Sequence, residues 1–457
     1  MLRWAASVFV CVGATLAAPR AAVAEPTGPQ RLDLRRVLEL AAEHFPLVAA
    51  ANAEREGAAA MVELARATRW TPKLTGTALL GGVPSARGDI FSSPDTGRDF
   101  GDLGLFWRVR LDTSLPVFTF GRLKGAQLAA EALEASKAAK VEATRKTAHQ
   151  LAARAYFGCL LAQESLALIR EVRGRLERAI SKLENPEPGA ADPDPLDLYR
   201  AHSYGFELDQ RETQAERELA VAAEGLRLLV GQPVGAEVRP TADQLVALEA
   251  PLPDLEVGFH EASERRAEAR EAALAARAKE LWAGVTAKER YPTLNLEGRF
   301  EYGAAPNRER QDNPFIYDPF NVRTLSAALA IRWDLSFAQT GARAAEEAAE
   351  AAGLWAQHQA VLAELHFEVA EAHARLAQAD KDYATSLRAL STAASWLRAA
   401  EEGQTLGTAS LRDLVEAFGA TIRMRGAQLQ ATLDLDLALI GWRLALGYPP
   451  LAESEAP

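Results

Sequence analysis

The sequence predicts a mainly α-helical protein with a small β portion, built as two tandem copies of one unit. Three observations predict it. Two alanine-rich runs, Arg122 to about Leu183 and Ala342 to about Gly403, contain no proline, and that composition favours long helices. Four segments alternate apolar with polar residues, the period of a strand with two unlike faces. A colinear series of landmarks recurs about 220 residues further along the chain.

The repeat is read from its order and spacing. Arg69-Trp70-Thr71-Pro72-Lys73-Leu74 has a partner in Arg290-Tyr291-Pro292-Thr293-Leu294. Leu115-Pro116-Val117-Phe118-Thr119-Phe120-Gly121 has one in Leu335-Ser336-Phe337-Ala338-Gln339-Thr340-Gly341. His149 and Ala155 match His366 and Ala372; Asp197-Leu198 matches Asp413-Leu414; Gly231-Gln232-Pro233 matches Gly447-Tyr448-Pro449. The spacing drifts by only a few residues. The first unit is placed at 25–233, a linker at 234–252, the second unit at 253–449 and a tail at 450–457.

Residues 1–24 read as an export signal. Arg3 is a basic start, Trp4 to Ala18 is mostly apolar, and Ala22-Val23-Ala24 has the form of a cleavage site. Loss of Arg3 and Arg20 takes the formal charge from −11 to −13. An acidic balance argues against nucleic acid as a partner. Cys11 falls inside the signal, leaving Cys159 and so no internal disulfide.

Within the first unit, Leu34 to Arg69 has helical spacing and Pro72 ends it, because proline lacks the donor and crowds the preceding turn. Strands are expected over about 72–83 and 105–118. The first is diluted by Gly76, Gly81 and Gly82; the second alternates cleanly, with Trp107, Val109 and Leu111 against Arg108, Arg110 and Asp112. A long helix follows over about 122–183 and a shorter one over 195–230. The second unit repeats this: a helix over Glu261 to Arg290, strands over about 293–303 and 325–337, and helices over about 342–402 and 411–446. More than 60 helical residues span roughly 90 Å at 1.5 Å each, so each rod must project. Antiparallel helical hairpins are the simplest arrangement.

The alternation fits a half-buried strand of a soluble sheet or a barrel strand between lipid and water. Strands of about ten residues, long polar connections and an export signal fit the barrel. Four strands cannot close one, since the smallest natural membrane barrels have about eight and each backbone group left unpaired in hydrocarbon costs several kcal/mol. A barrel built from this chain therefore requires several copies.

These residues resemble the outer-membrane factors of the TolC type, the outer membrane efflux protein family. The resemblance rests on the twin units, Arg69-x-x-Pro72-x-Leu74, the Leu115–Gly121 exit into a long helix, Ala155-Tyr156-Phe157 with Ala162-Gln163, and the Gly407–Ala417 turn. It implies a homotrimer in outer-membrane lipid, with a twelve-stranded barrel continuous with a periplasmic α-helical barrel. It implies a passive exit duct of a tripartite efflux or type I secretion system, docking to a periplasmic adaptor (membrane fusion) protein and an inner-membrane RND or ABC pump. No enzyme activity, cofactor or metal is expected.

The resemblance also implies a periplasmic gate at the second turn. Asp413 and Glu416 occupy the places of two acidic residues three apart, which one helix face would present together; in a trimer they would form carboxylate rings favouring cations. The opposite reading makes both solvated surface acids, or makes Asp413 a helix cap. Gly407, Arg412 and Arg200 lie at or near this turn by sequence. The family often has a basic residue where Ala409 stands, so Arg412 or Arg200 is the candidate to replace it. Arg108, Arg110, Asn295, Glu297, Arg299, Arg332 and Asp334 are expected to line the barrel lumen, tuning selectivity or forming cross-strand pairs. Trp107 and Trp333 are candidate interface anchors. His358, His366 and His373 are too far apart along a helix for one metal ion, and Arg87-Gly88-Asp89 reads as a turn. The rival readings are a soluble periplasmic coiled-coil adaptor or spacer, and a hydrolase, for which no nucleophile, base and orienter stand out.

Overall fold

In the computed structural model, which describes residues 30–88, 97–185, 195–248, 254–310, 318–406 and 408–451, the order helix–helix–strand–strand–helix–helix occurs twice. The export-signal segment, Asp89, Gly407 and residues 452–457 lie outside the described residues.

Asp33 opens the first helix, α1 (Leu34–His44), by accepting from the Arg36 N–H. The stretch read as one helix from Leu34 is two: α1 ends at Phe45, held extended, and α2 (Pro46–Trp70) begins at a proline. Pro46 at the first position of α2 forces the preceding residue out of the helical region. The second unit breaks in the corresponding place without a proline. There α5 (Leu255–Arg265) and α6 (Ala267–Ala287) meet at Arg266, whose backbone is extended. That break follows a tertiary demand: the Arg266 side chain is buried and bonded to Glu268, Glu368 and the Ala445 carbonyl.

Four strands, β2 (Lys73–Arg87), β3 (Gly97–Phe118), β5 (Thr293–Ala304) and β6 (Arg323–Arg332), form one antiparallel sheet in the order β2-β3-β5-β6. The first hairpin runs further than the alternation suggested. β2 continues to Arg87 and β3 already pairs from Gly97, because a register shift after Pro84 lets the ladder absorb the proline. The last strand is shorter. Expected to 337, β6 stops at Arg332, and the following helix starts at Phe337 rather than near Ala342. Asp334 accepts from the Ser336 N–H and hydroxyl, a turn that ends the strand and opens the helix. The two look-alike exits therefore differ: at the first, Phe120 and Gly121 both take left-handed backbone before α3.

The rods are α3 (Arg122–Glu184) and α7 (Phe337–Thr405), about 95 and 100 Å long at 1.5 Å per residue. α2 lies against the first half of α3, through Arg55–Glu134 and Lys137–Glu54, and α4 (Pro195–Leu229) against its second half, through Arg170–Glu212. On α7, α6 contributes Lys279 to Glu347, and α8 (Leu411–Ala445) bonds through the Thr421 hydroxyl to the Ala393 carbonyl. α6 also joins the two rods' systems, with the Ser136 hydroxyl of α3 donating to the Glu271 carbonyl.

The largest cores sit midway along the rods. One gathers Val37, Leu38, Tyr156, Phe157, Leu226 and Ile440; another gathers Val369, Leu376, Leu439 and Trp442. A two-stranded parallel sheet, β1 (Gln30–Leu32) with β4 (Val238–Pro240), pins the linker here; strands of three residues are too short to show a period. Asp436 of α8 is fully buried in this belt. One carboxylate oxygen accepts from the Leu248 N–H at 2.8 Å; the other has no partner among the described residues. Burial pushes its pKa up to about 7, against the lowering effect of the Leu248 hydrogen bond. The folded state thus favours the protonated acid, and stability from this group is lost as pH rises from about 4 to about 7. Asp436→Asn keeps an acceptor for Leu248 and removes the titration. Unfolding free energies from urea titration at pH 4.5 and 8 are expected to differ less in this variant than in the parent protein, by up to a few kcal/mol at about 1.4 kcal/mol per pK unit.

Candidate functional site

The sheet has two unlike faces. On one, Leu74, Leu80, Leu105, Val109, Leu111, Leu296, Phe300, Leu325, Leu329 and Ile331 follow the strand period and are exposed, Leu325 by 86% and Leu80 by 76%. Trp107 stands on this face against Tyr302. Water does not sustain such a surface on a soluble domain.

The other face is charged and paired. Arg110 faces Glu301 across the strands, and both Arg108 and Arg110 reach its carboxylate, at 3.4 and 3.0 Å. Arg299 bonds Asp112 at 2.7 Å and Arg332 bonds Glu297 at 2.7 Å. Asn295 is buried, its amide 3.4 Å from the Thr293 hydroxyl. A depression of about 450 Å³ on this face is lined by Lys73, Asp112, Glu297, Arg299 and Arg332. Six of the seven residues expected in a lumen therefore share one face. Asp334 does not: it lies beyond the end of β6, occupied with Ser336. Trp333 also lies past the strand, its indole donating to the Arg290 carbonyl at 3.0 Å. Lys73, Asp112 and Glu301 were missing from the expected set. Alternation already put Asp112 and Glu301 there, whereas the glycines of β2 hid Lys73.

At the far end of the rods, α8 starts at Ser410 with a capping box. The Ser410 hydroxyl accepts from the Asp413 N–H, and the Asp413 carboxylate accepts from the Ser410 N–H at 3.0 Å and hydroxyl at 2.7 Å. These bonds, the hydroxyl first, hold the Asp413 pKa below the usual range. Glu416 instead pairs with Arg412 one turn away, at 3.0 Å. Arg412, Glu416 and Arg200 line a groove of about 800 Å³ between the α3/α4 and α7/α8 hairpins, with Tyr204, Trp396 and Phe418. Asp413 does not line it. His366 and His373 pack against different rings, Phe259 and Trp442. Among the described residues no helix is long and apolar enough to cross a membrane.

Residues 37–232 match the family model described as outer membrane efflux protein. This segment belongs to the outer membrane efflux protein family. It runs from within α1 to the end of α4, and so contains β2, β3, Arg108, Arg110 and Arg200. Beyond the family segment the likeness is one of fold. The OprN outer-membrane channel aligns at 18% identity, covering 91% of this chain and 90% of that one, with a TM-score of 0.72. The outer membrane protein VceC from Vibrio cholerae aligns at 19%, covering 92% and 97%, with a TM-score of 0.69. The open state of the MtrE outer-membrane channel of Neisseria gonorrhoeae aligns at 19%, covering 91% and 89%, with a TM-score of 0.72. No curated protein matches the sequence.

Proposed function

We propose that the protein is an outer-membrane exit duct of an efflux system, a passive channel with a large periplasmic portion that performs no covalent chemistry. The observation that carries this reading is the sheet: an exposed apolar face, a charged face opposite it, and outer strands β2 and β6 with no further strand beyond them among the described residues, β2 meeting only a single bridge from Ala86 to Arg308. Edges of this kind cannot stand open in hydrocarbon. Three copies would join β2 of one to β6 of the next and close twelve strands, with the apolar faces outward and the ion pairs toward water. The rods would continue the wall across the periplasm as an α-helical barrel. Outer-membrane channels of the same fold support this assembly.

Under this reading the tip meets a periplasmic adaptor serving an RND or ABC pump, in a tripartite efflux or type I secretion system. Asp413 and Glu416, with the Arg412 pair beside them, form the idle constriction. The direct test is conductance in planar bilayers, alongside recovery from the outer-membrane fraction as a heat-labile oligomer. A pore is expected. Asp413→Asn with Glu416→Gln keeps an acceptor in the capping box while removing both charges. It is expected to raise conductance or weaken block by multivalent cations. Absence of a pore at any protein concentration defeats the duct, and an unchanged pore in the double variant defeats the gate.

A further inference from the structure

The charged face of the sheet is unbalanced. From the Arg332 row to the Arg108 row it presents Lys73, Arg108, Arg110, Arg299 and Arg332 against Asp112, Glu297 and Glu301. All three carboxylates are engaged: Asp112 by Arg299, Glu297 by Arg332, and Glu301 by two guanidinium groups at once. The exposed Lys73 side chain belongs to none of these pairs. Five cations against three anions leave two positive charges per chain. This excess sits on a protein whose formal charge is −11, and it faces the depression that Lys73, Arg299 and Arg332 line.

We propose that this band makes the sheet section of the duct selective for anions, so that anionic solutes are the class it admits most readily. The inference rests on the duct reading. Three copies would set six excess positive charges around a band about 33 Å tall, at roughly 3.3 Å per residue over ten residues. At about 0.1 M salt the Debye length is about 10 Å, so the wall charge reaches well into the lumen; at 1 M it is about 3 Å, and the centre is screened. Rings of basic side chains select anions in pores of other kinds. The acidic tip then acts in series with a filter of opposite sign, and the net preference of the whole duct depends on which section is narrower.

The test uses the full-length protein carrying Asp413→Asn, Glu416→Gln and Arg412→Gln, which removes both tip acids together with the guanidinium paired to Glu416. Reversal potential in a potassium chloride gradient near 0.1 M is expected to give a chloride-to-potassium permeability ratio above about 2, falling toward 1 near 1 M. Adding Lys73→Glu removes the excess without breaking any of the ion pairs and is expected to bring the low-salt ratio close to 1. Arg332→Gln, which changes a different strand, is expected to lower it as well. A pore that prefers potassium at low salt, or whose ratio neither added substitution moves, overturns this proposal while leaving the duct intact. Failure to form any pore overturns the duct reading and this proposal with it.

Discussion

Leu329→Arg is expected to abolish assembly in the outer membrane, whereas Ala328→Arg, one residue earlier, is expected to be tolerated. Leu329 lies within β6, opposite Leu296 on the apolar face, and is 66% exposed. An arginine on the lipid face of a barrel costs about 2–4 kcal/mol at mid-membrane. Three copies would raise this to roughly 6–12 kcal/mol, as large as the whole stability of many domains. Ala328 faces Glu297 on the charged side, where an added guanidinium meets water and a carboxylate. The readout is the fraction of protein recovered from outer membrane as a heat-labile oligomer. If the two variants behave alike, the apolar face does not meet lipid, and a soluble periplasmic spacer becomes the better reading.

The paired comparison works because a strand's period is two, and that same period made the sheet legible in the sequence. Neighbouring residues fall on opposite faces whatever the surrounding fold. Alternation nevertheless overran the end of β6. Trp333, Leu335 and Phe337 keep the pattern, but the Asp334–Ser336 turn has already left the strand. Hydrophobic period does not see a side chain that bonds its own backbone. The rods were legible because helix-favouring composition sums over long windows. The break at Phe45 was written in Pro46, whereas the break at Arg266 was not, since its cause is a set of partners more than a hundred residues away. The same division holds at the sites. The charged face follows from alternation, whereas Asp413, read as a possible helix cap, is the third helical residue of a box whose cap is Ser410. The tip groove depends on two hairpins lying side by side, so Tyr204, Trp396 and Phe418 carry no local sign of meeting Arg412.

Arg266→Met is expected to be among the most destabilising single changes outside the sheet. The guanidinium is 2% exposed and bonds both Glu268 oxygens at 2.8 and 3.0 Å, Glu368 at 2.7 Å and the Ala445 carbonyl at 2.8 Å. Lys146 of α3 closes the set, 2.7 Å from Glu368 and 3.3 Å from Glu268. Two cations and two carboxylates thus tie α3, the α5–α6 break, α7 and the end of α8 together. Burial alone would raise the Glu268 pKa; the Arg266 hydrogen bonds, with the charges of Lys146 and Arg266, outweigh it and hold the value near 2. Removing one member of a buried ion set costs about 3–5 kcal/mol, because its partners stay buried without compensation. In Arg266→Met two carboxylates would share Lys146 alone, and the Ala445 carbonyl would lose its donor. Adding Glu268→Gln restores charge balance between Lys146 and Glu368, so the double variant is expected to recover part of the loss. Circular dichroism of the oligomer in detergent reads both effects. The network also fixes a direction in pH: a depressed carboxylate pKa contributes stability above its usual value near 4.5, lost as pH falls toward 2. That acid sensitivity is expected to shrink in Arg266→Met. A loss under about 1 kcal/mol, or a double variant no more stable than the single one, would mean that apolar packing in the belt, rather than this ion set, holds these helices in place.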